Sequence, residues 1–135
     1  MILRQATGGD IVFDPEKSLS LDGDSGPYLQ YALVRARKIL TYEGEGGSEV
    51  PVAPYAIERL IIRFPEVTAK ARREMAPHHI TQYLTQLASE WNSFYAKERI
   101  IGGDYEAYKL SLAQAFVTTM KNGLWLLGIR SPERM

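Results

Sequence analysis

From Ile80 onward, large apolar residues return every third or fourth position: Ile80, Leu84, Leu87, Ala88, Trp91 and then Phe94 or Tyr95. A chain with this stripe is committed to a long helix with one buried face, and Pro77 marks its start. The same logic extends to both sides. Ala56, Ile57, Leu60, Ile61 and Phe64 fall at helical spacing, and Pro65 ends that helix while opening another through Met75. After the Gly102-Gly103-Asp104 break, Tyr108, Leu112, Ala113, Phe116 and Met120 mark a last long helix, with Asn122-Gly123 as its stop before Leu124-Trp125-Leu126-Leu127.

Upstream, Ser25-Gly26-Pro27 combines a capping side chain with a proline suited to a first helical turn, so a helix is expected from Pro27 to about Tyr42, stopping at Gly44. The first 26 residues are rich in turn combinations such as Gly8-Gly9-Asp10 and Gly23-Asp24-Ser25-Gly26, and only Ile11-Val12-Phe13 looks strand-like. They read as an irregular lead-in. Residues 43–54 hold three glycines, Ser48 and two prolines, and read as a flexible loop. The expected fold is all-α, a bundle of about five helices in a single domain, 1–135.

A 135-residue chain fits one domain that buries roughly two thirds of its unfolded surface. Hydrophobic residues at 45% and charged ones at 24% lie close to globular averages and far from the composition of a disordered chain, so a folded, soluble domain is expected. With no cysteine there is no disulfide, thiolate metal site or cysteine nucleophile, which suits a reducing compartment; the cytoplasm is the expected location. The longest apolar run, Leu124 to Leu127, is far below the roughly 20 residues of a membrane helix, so no membrane partner is expected.

Sixteen basic and sixteen acidic residues cancel, so composition alone does not argue for a polyanionic partner. Distribution says more. Residues 1–26 hold five acids against Arg4 and Lys17, whereas Pro27 to Tyr42 carries Arg35, Arg37 and Lys38 and no acid.

That basic helix has two faces. Leu29, Ala32, Leu33, Ala36, Ile39 and Leu40 form an apolar stripe sufficient to dock it, while Tyr28, Tyr31, Arg35, Lys38 and Tyr42 line a separate ridge at steps of three or four. Single-stranded RNA recognition needs such a ridge: ring faces on which bases stack, worth about 1–3 kcal/mol each, and cations for the phosphates between them. The other reading is that the tyrosines flank the core with their hydroxyls in water and the cations are a solvated face.

Other motifs carry less. Gly23-Asp24-Ser25-Gly26 matches a serine-nucleophile loop, but no ordered histidine and aspartate accompany it. Asp22 and Asp24 open like a calcium loop that Gly26 and Leu33 fail to complete. His78 and His79 are adjacent, so they point to different faces and lack the spacing of a zinc helix; capping or surface roles are expected. Gly44 to Gly47 lacks the lysine of a phosphate loop.

Read as a string, Phe13-Asp14-Pro15-Glu16-Lys17-Ser18-Leu19-Ser20-Leu21-Asp22-Gly23-Asp24-Ser25-Gly26-Pro27-Tyr28-Leu29-Gln30-Tyr31-Ala32 resembles the start of the C-terminal domain of arginyl-tRNA synthetases. The resemblance continues through Arg35, Ala76-Pro77-His78-His79-Ile80, Tyr83-Leu84, Leu87-Ala88-Ser89 and Asn92-Ser93-Phe94-Tyr95. It closes on Asn122-Gly123-Leu124, Leu127-Gly128-Ile129 and Pro132-Glu133-Arg134-Met135, and so covers essentially the whole chain. The Asp-Ala-Leu-Arg tetrapeptide after which such anticodon-binding domains are named does not occur in it.

The resemblance implies an all-α domain that grips the anticodon stem and loop of arginine tRNA. Position by position, it makes Tyr28, Tyr31 and Arg35 contacts to the loop, with Tyr95 and the terminal Met135 next, beside Lys38 of the ridge. Arg99 stands where some relatives carry an aromatic residue, and a guanidinium there would stack or contact phosphate. Glycines and prolines of 23–27, Asn92 and Asn122 are expected to serve structure.

The family's catalytic domain uses His-Ile-Gly-His-type and Lys-Met-Ser-Lys-Ser-type motifs, and this chain has neither. It is therefore expected to be inactive alone and to need no cofactor, with ATP and arginine bound by the catalytic domain that would accompany it. Met1 before a segment that in the family continues from that domain suggests a truncated chain, a stand-alone homologue being the other reading. Two further alternatives are a helical protein-interaction module using the same ridge and the helical domain of a related synthetase. RNA binding would weaken steeply with salt, whereas an apolar protein interface would not.

Overall fold

A computed structural model describes residues 2–6, 8–10, 14–16, 25–42, 44 and 47–133. Among the described residues there is no strand, and five α-helices follow a short 3-10 turn at Ile2–Arg4: α1 Gly26–Ile39, α2 Ala56–Ile61, α3 Phe64–Glu74, α4 His78–Lys97 and α5 Glu106–Leu126. Because α2 has only six residues, four longer helices carry the architecture. The fold is all-α, as the periodicity requires. The strand-like Ile11-Val12-Phe13 lies outside the described residues, as do half of the lead-in and positions 43, 45 and 46 of the loop.

α1 begins as its sequence dictates. The Ser25 hydroxyl accepts the Tyr28 amide at 3.0 Å, and Pro27 occupies the first turn. Its apolar stripe, Leu29, Ala32, Leu33, Ala36 and Ile39, is buried against α5 and α4. The α-helix stops at Ile39, earlier than the expected Tyr42; the Thr41 and Tyr42 amides instead bond carbonyls three residues back, at Lys38 and Ile39. This tighter winding carries the ridge on to Tyr42.

The α4 stripe is core throughout: Ile80, Leu84, Leu87, Ala88, Trp91 and Phe94 are all buried. Between the two aromatic alternatives, the fold buries Phe94 and leaves Tyr95 exposed. Trp91 stacks on Phe116 of α5, with centroids 4.6 Å apart and planes 14° from parallel. Tyr83 donates its hydroxyl to the Leu60 carbonyl at 2.9 Å, tying α4 to α2, and burial pushes its phenol up to about 12.

Asn122-Gly123 does not end α5. Gly123 is helical and buried, and a Cβ there would come within 2.5 Å of the Leu84 side chain, so the glycine permits close approach of α4 and α5. The true stop lies five residues on. Gly128, at φ +72°, donates to the Trp125 carbonyl at 2.9 Å, and Ile129 donates to Leu124 at 2.9 Å. The same two-bond ending closes α3 around Met75, at φ 49°, with Met75 bonding Arg72 and Ala76 bonding Ala71.

Candidate nucleic-acid interface

The ridge of α1 faces the C-terminal end of α4 and the turn that follows it. Between them lies an open groove of about 690 Å³, lined by Tyr31, Arg35, Lys38, Ile39 and Tyr42 from α1 and its continuation, and by Tyr95, Glu98, Arg99, Ile100 and Ile101. Five expected site residues therefore share one concavity: Tyr31, Arg35, Lys38, Tyr95 and Arg99.

Arg35 organises its centre. Its guanidinium carbon stands 4.6 Å from the Tyr95 ring centroid and 5.5 Å from that of Tyr31, so one cation links a ring on α1 to a ring on α4. Both rings keep 39% of their surface accessible, and Tyr42 keeps 58%, enough to offer faces to an incoming planar group. Lys38 is exposed at one edge. Arg99 is exposed on the opposite wall, its Nε donating to the Ile101 carbonyl at 3.2 Å, which orients the side chain along its own turn.

Tyr28 occupies a different place. It is half-buried one turn earlier on α1, does not line the groove, and its hydroxyl accepts from the Asn92 amide at 3.2 Å. Asn92 thus serves structure, as expected. Met135 lies outside the described residues. The chain leading to it is held along α1: Gln30 donates to the Arg130 carbonyl at 3.1 Å, and Arg37 donates to that of Pro132.

Tyr95 and Arg99 of the groove's far wall are expected from the sequence, but Glu98, Ile100 and Ile101 beside them, and the lysine that supports them, are not. Glu98 ends α4 with extended backbone, and Ile100 is buried behind the turn. Lys109 of α5, 3% exposed, fixes that wall: its ammonium lies 2.8 Å from the Glu98 carboxylate and donates to the Arg99 carbonyl at 3.2 Å. Burial alone would lower the Lys109 ammonium, but the bond to Glu98 together with Tyr55, Glu98 and Asp104 raises it above the usual lysine range. A lysine within a helical stripe signals nothing special in sequence; only the packing of α5 against the turn gives it this role.

The groove therefore presents three cations and three exposed tyrosine rings in a protein of zero net charge, and its single carboxylate is already paired. Chemically this suits a polyanion with planar groups. Other sites are weaker. The His78 and His79 rings lie 4.2 Å apart rather than on separate faces; His79 bonds Glu74 at 2.7 Å. Among the described residues, no group of three or more histidine or acidic side chains could hold a metal ion. No helix among them is long and apolar enough to cross a membrane.

The fold and the sequence define a class. The DALR anticodon binding domain matches residues 29–135, and the chain belongs to that family. Its relatives include an arginine–tRNA ligase of Thermus thermophilus, 38% identical over 138 residues, which cover 93% of this chain and 23% of the ligase. That of Ignicoccus hospitalis is 38% identical over 135 residues, covering 93% and 21%. The solved arginyl-tRNA synthetase of T. thermophilus matches with a TM-score of 0.78 at 37% identity, over 91% of this chain and 23% of that one. The Plasmodium falciparum synthetase, at 20% identity and a TM-score of 0.85 over 98% of this chain and 25% of that one, shares the fold. The chain thus spans less than a quarter of the length of the curated relatives it matches.

Proposed function

We propose that this chain recognises the anticodon stem-loop of arginine tRNA through the groove between α1 and the end of α4, as the C-terminal domain of a cytoplasmic arginine–tRNA ligase. The observation that carries the reading is Arg35 set between Tyr31 and Tyr95 in a concavity with two further cations. Loop bases stack on the exposed rings, and the phosphates between them meet Arg35, Lys38 and Arg99. Met135 and Tyr28 complete the contact set that the family resemblance implies. ATP and arginine bind a catalytic domain of the same parent chain, which forms the arginyl-adenylate; this domain contributes binding free energy and anticodon discrimination and has no activity of its own.

Titration of the domain with an arginine-tRNA anticodon stem-loop at several salt concentrations tests the reading. Three groove cations on a single-stranded loop predict a slope of about −2 in log affinity against log salt, at roughly −0.7 per phosphate neutralised. A stem-loop with altered anticodon bases should bind at least about tenfold more weakly, since each wrong base costs on the order of 1–3 kcal/mol. The Tyr31→Ala, Arg35→Ala double variant should lose the selective part of the binding. Equal binding of both loops, or of wild type and double variant, contradicts the assignment.

A further inference from the structure

One groove residue does not fit a surface built only for phosphates. Glu98 is a carboxylate among three cations, and its side chain is about a third exposed (32%). It is firmly held. Lys109 approaches its Oε2 at 2.8 Å, and the Tyr55 hydroxyl donates to the same oxygen at 3.5 Å. The second oxygen, Oε1, has no hydrogen-bond partner among the described residues, and Glu98 lines the groove beside Arg99 and Tyr95.

A phosphate cannot use that oxygen, because two anions would face each other. A base edge can. With one oxygen occupied, the carboxylate is a single fixed acceptor, which suits one exocyclic amino group and loses the two-oxygen pairing that would favour the adjacent N1–H and N2–H donors of guanine. An amino group of cytosine or adenine would donate to it, whereas uracil would turn a carbonyl oxygen toward it and leave two acceptors in opposition.

We infer that Glu98, held by Lys109 and Tyr55, is a specificity-determining residue of the groove that accepts a hydrogen bond from the exocyclic amino group of one unpaired cytosine or adenine. The inference rests on the groove being the anticodon-loop site. Lys109 acts through Glu98 as a positioning residue: it neutralises the carboxylate toward neighbouring phosphates and fixes which oxygen faces the groove.

The test is a set of arginine-tRNA anticodon stem-loops in which each loop cytosine is changed in turn to uracil and each adenosine to purine riboside, which lacks the amino group. Wild type should bind one member of the set about tenfold more weakly than the parent loop, the scale of one base contact. Glu98→Gln presents a donor as well as an acceptor and should bring that ratio close to one while leaving the ratios at other positions unchanged. Because Glu98→Gln leaves Lys109 without its counter-charge, a Glu98→Gln, Lys109→Met variant is measured beside it, with thermal melting of both; it should show the same loss at the same position. Discrimination that survives in both variants, or affinity that falls equally for every loop, overturns the inference. If wild type binds the parent loop but discriminates at no single position, the inference alone fails. If wild type binds no stem-loop even at low salt, the anticodon-loop reading fails and the inference with it.

Discussion

Arg35 concentrates the chemistry of the groove in one side chain. Its positive charge is available to a phosphate, and its plane bridges Tyr31 and Tyr95, holding two helices' aromatic faces at a fixed spacing. Charge and plane are separable. Arg35→Lys keeps the first and loses the second, because an ammonium is a compact point charge that does not stack as a guanidinium does. Stem-loop affinity should fall about five- to tenfold, on the order of 1 kcal/mol, with the salt slope unchanged and fold stability within roughly 0.5 kcal/mol of wild type. Unchanged affinity would show that charge alone does the work of Arg35. The residues of this ridge are legible in the sequence because helical spacing lines up Tyr31, Arg35, Lys38 and Tyr42 without reference to anything else. That Tyr28 turns inward to Asn92 is not, since its spacing fits the ridge equally well and only the partner on α4 decides.

Among the elements, the pairing of α4 with α5 shows where local signals end. The α4 stripe is readable because six buried positions repeat with the period of the helix itself. Gly123 reads wrongly as a stop because Asn-Gly is a turn signal over two residues, whereas its actual role depends on Leu84, on another helix. Gly123→Ala separates the two accounts. Alanine is favoured over glycine within a helix by roughly 0.5–1 kcal/mol, so a glycine with no close neighbour would give a stabilised variant. The structure instead sets the new Cβ 2.5 Å from Leu84 Cδ2 and 2.9 Å from Cδ1, with Leu84 fully buried. Overpacking of this kind costs about 1–3 kcal/mol, so urea unfolding should show net destabilisation. A midpoint above wild type would mean the two helices do not approach as described.

Across the whole molecule, the groove is assembled from parts far apart in the chain. α1 supplies one wall, the end of α4 and residues 98–101 the other, and Lys109 of α5 holds the second in place from behind. Composition conceals this arrangement: a net charge of zero coexists with a groove in which three cations meet one carboxylate that is already paired. The all-α class and the ridge can be inferred from periodicity, and the family from ordered motifs. On the opposing wall Tyr95 and Arg99 follow from those motifs, but Glu98 and Lys109 do not, because a sequence names its charges but not which of them the fold will pair. The proposed function places the RNA on this groove rather than on the apolar hollow of about 710 Å³ lined by Arg72, Met75, Ile80 and Leu126. The most direct check is to map amide and side-chain chemical-shift changes in the labelled domain as the arginine-tRNA anticodon stem-loop is added. Changes centred on Tyr31, Arg35, Lys38, Tyr95 and Glu98 to Ile101 are the predicted result; changes centred on Arg72, Met75 and Leu126, with the groove silent, would contradict it.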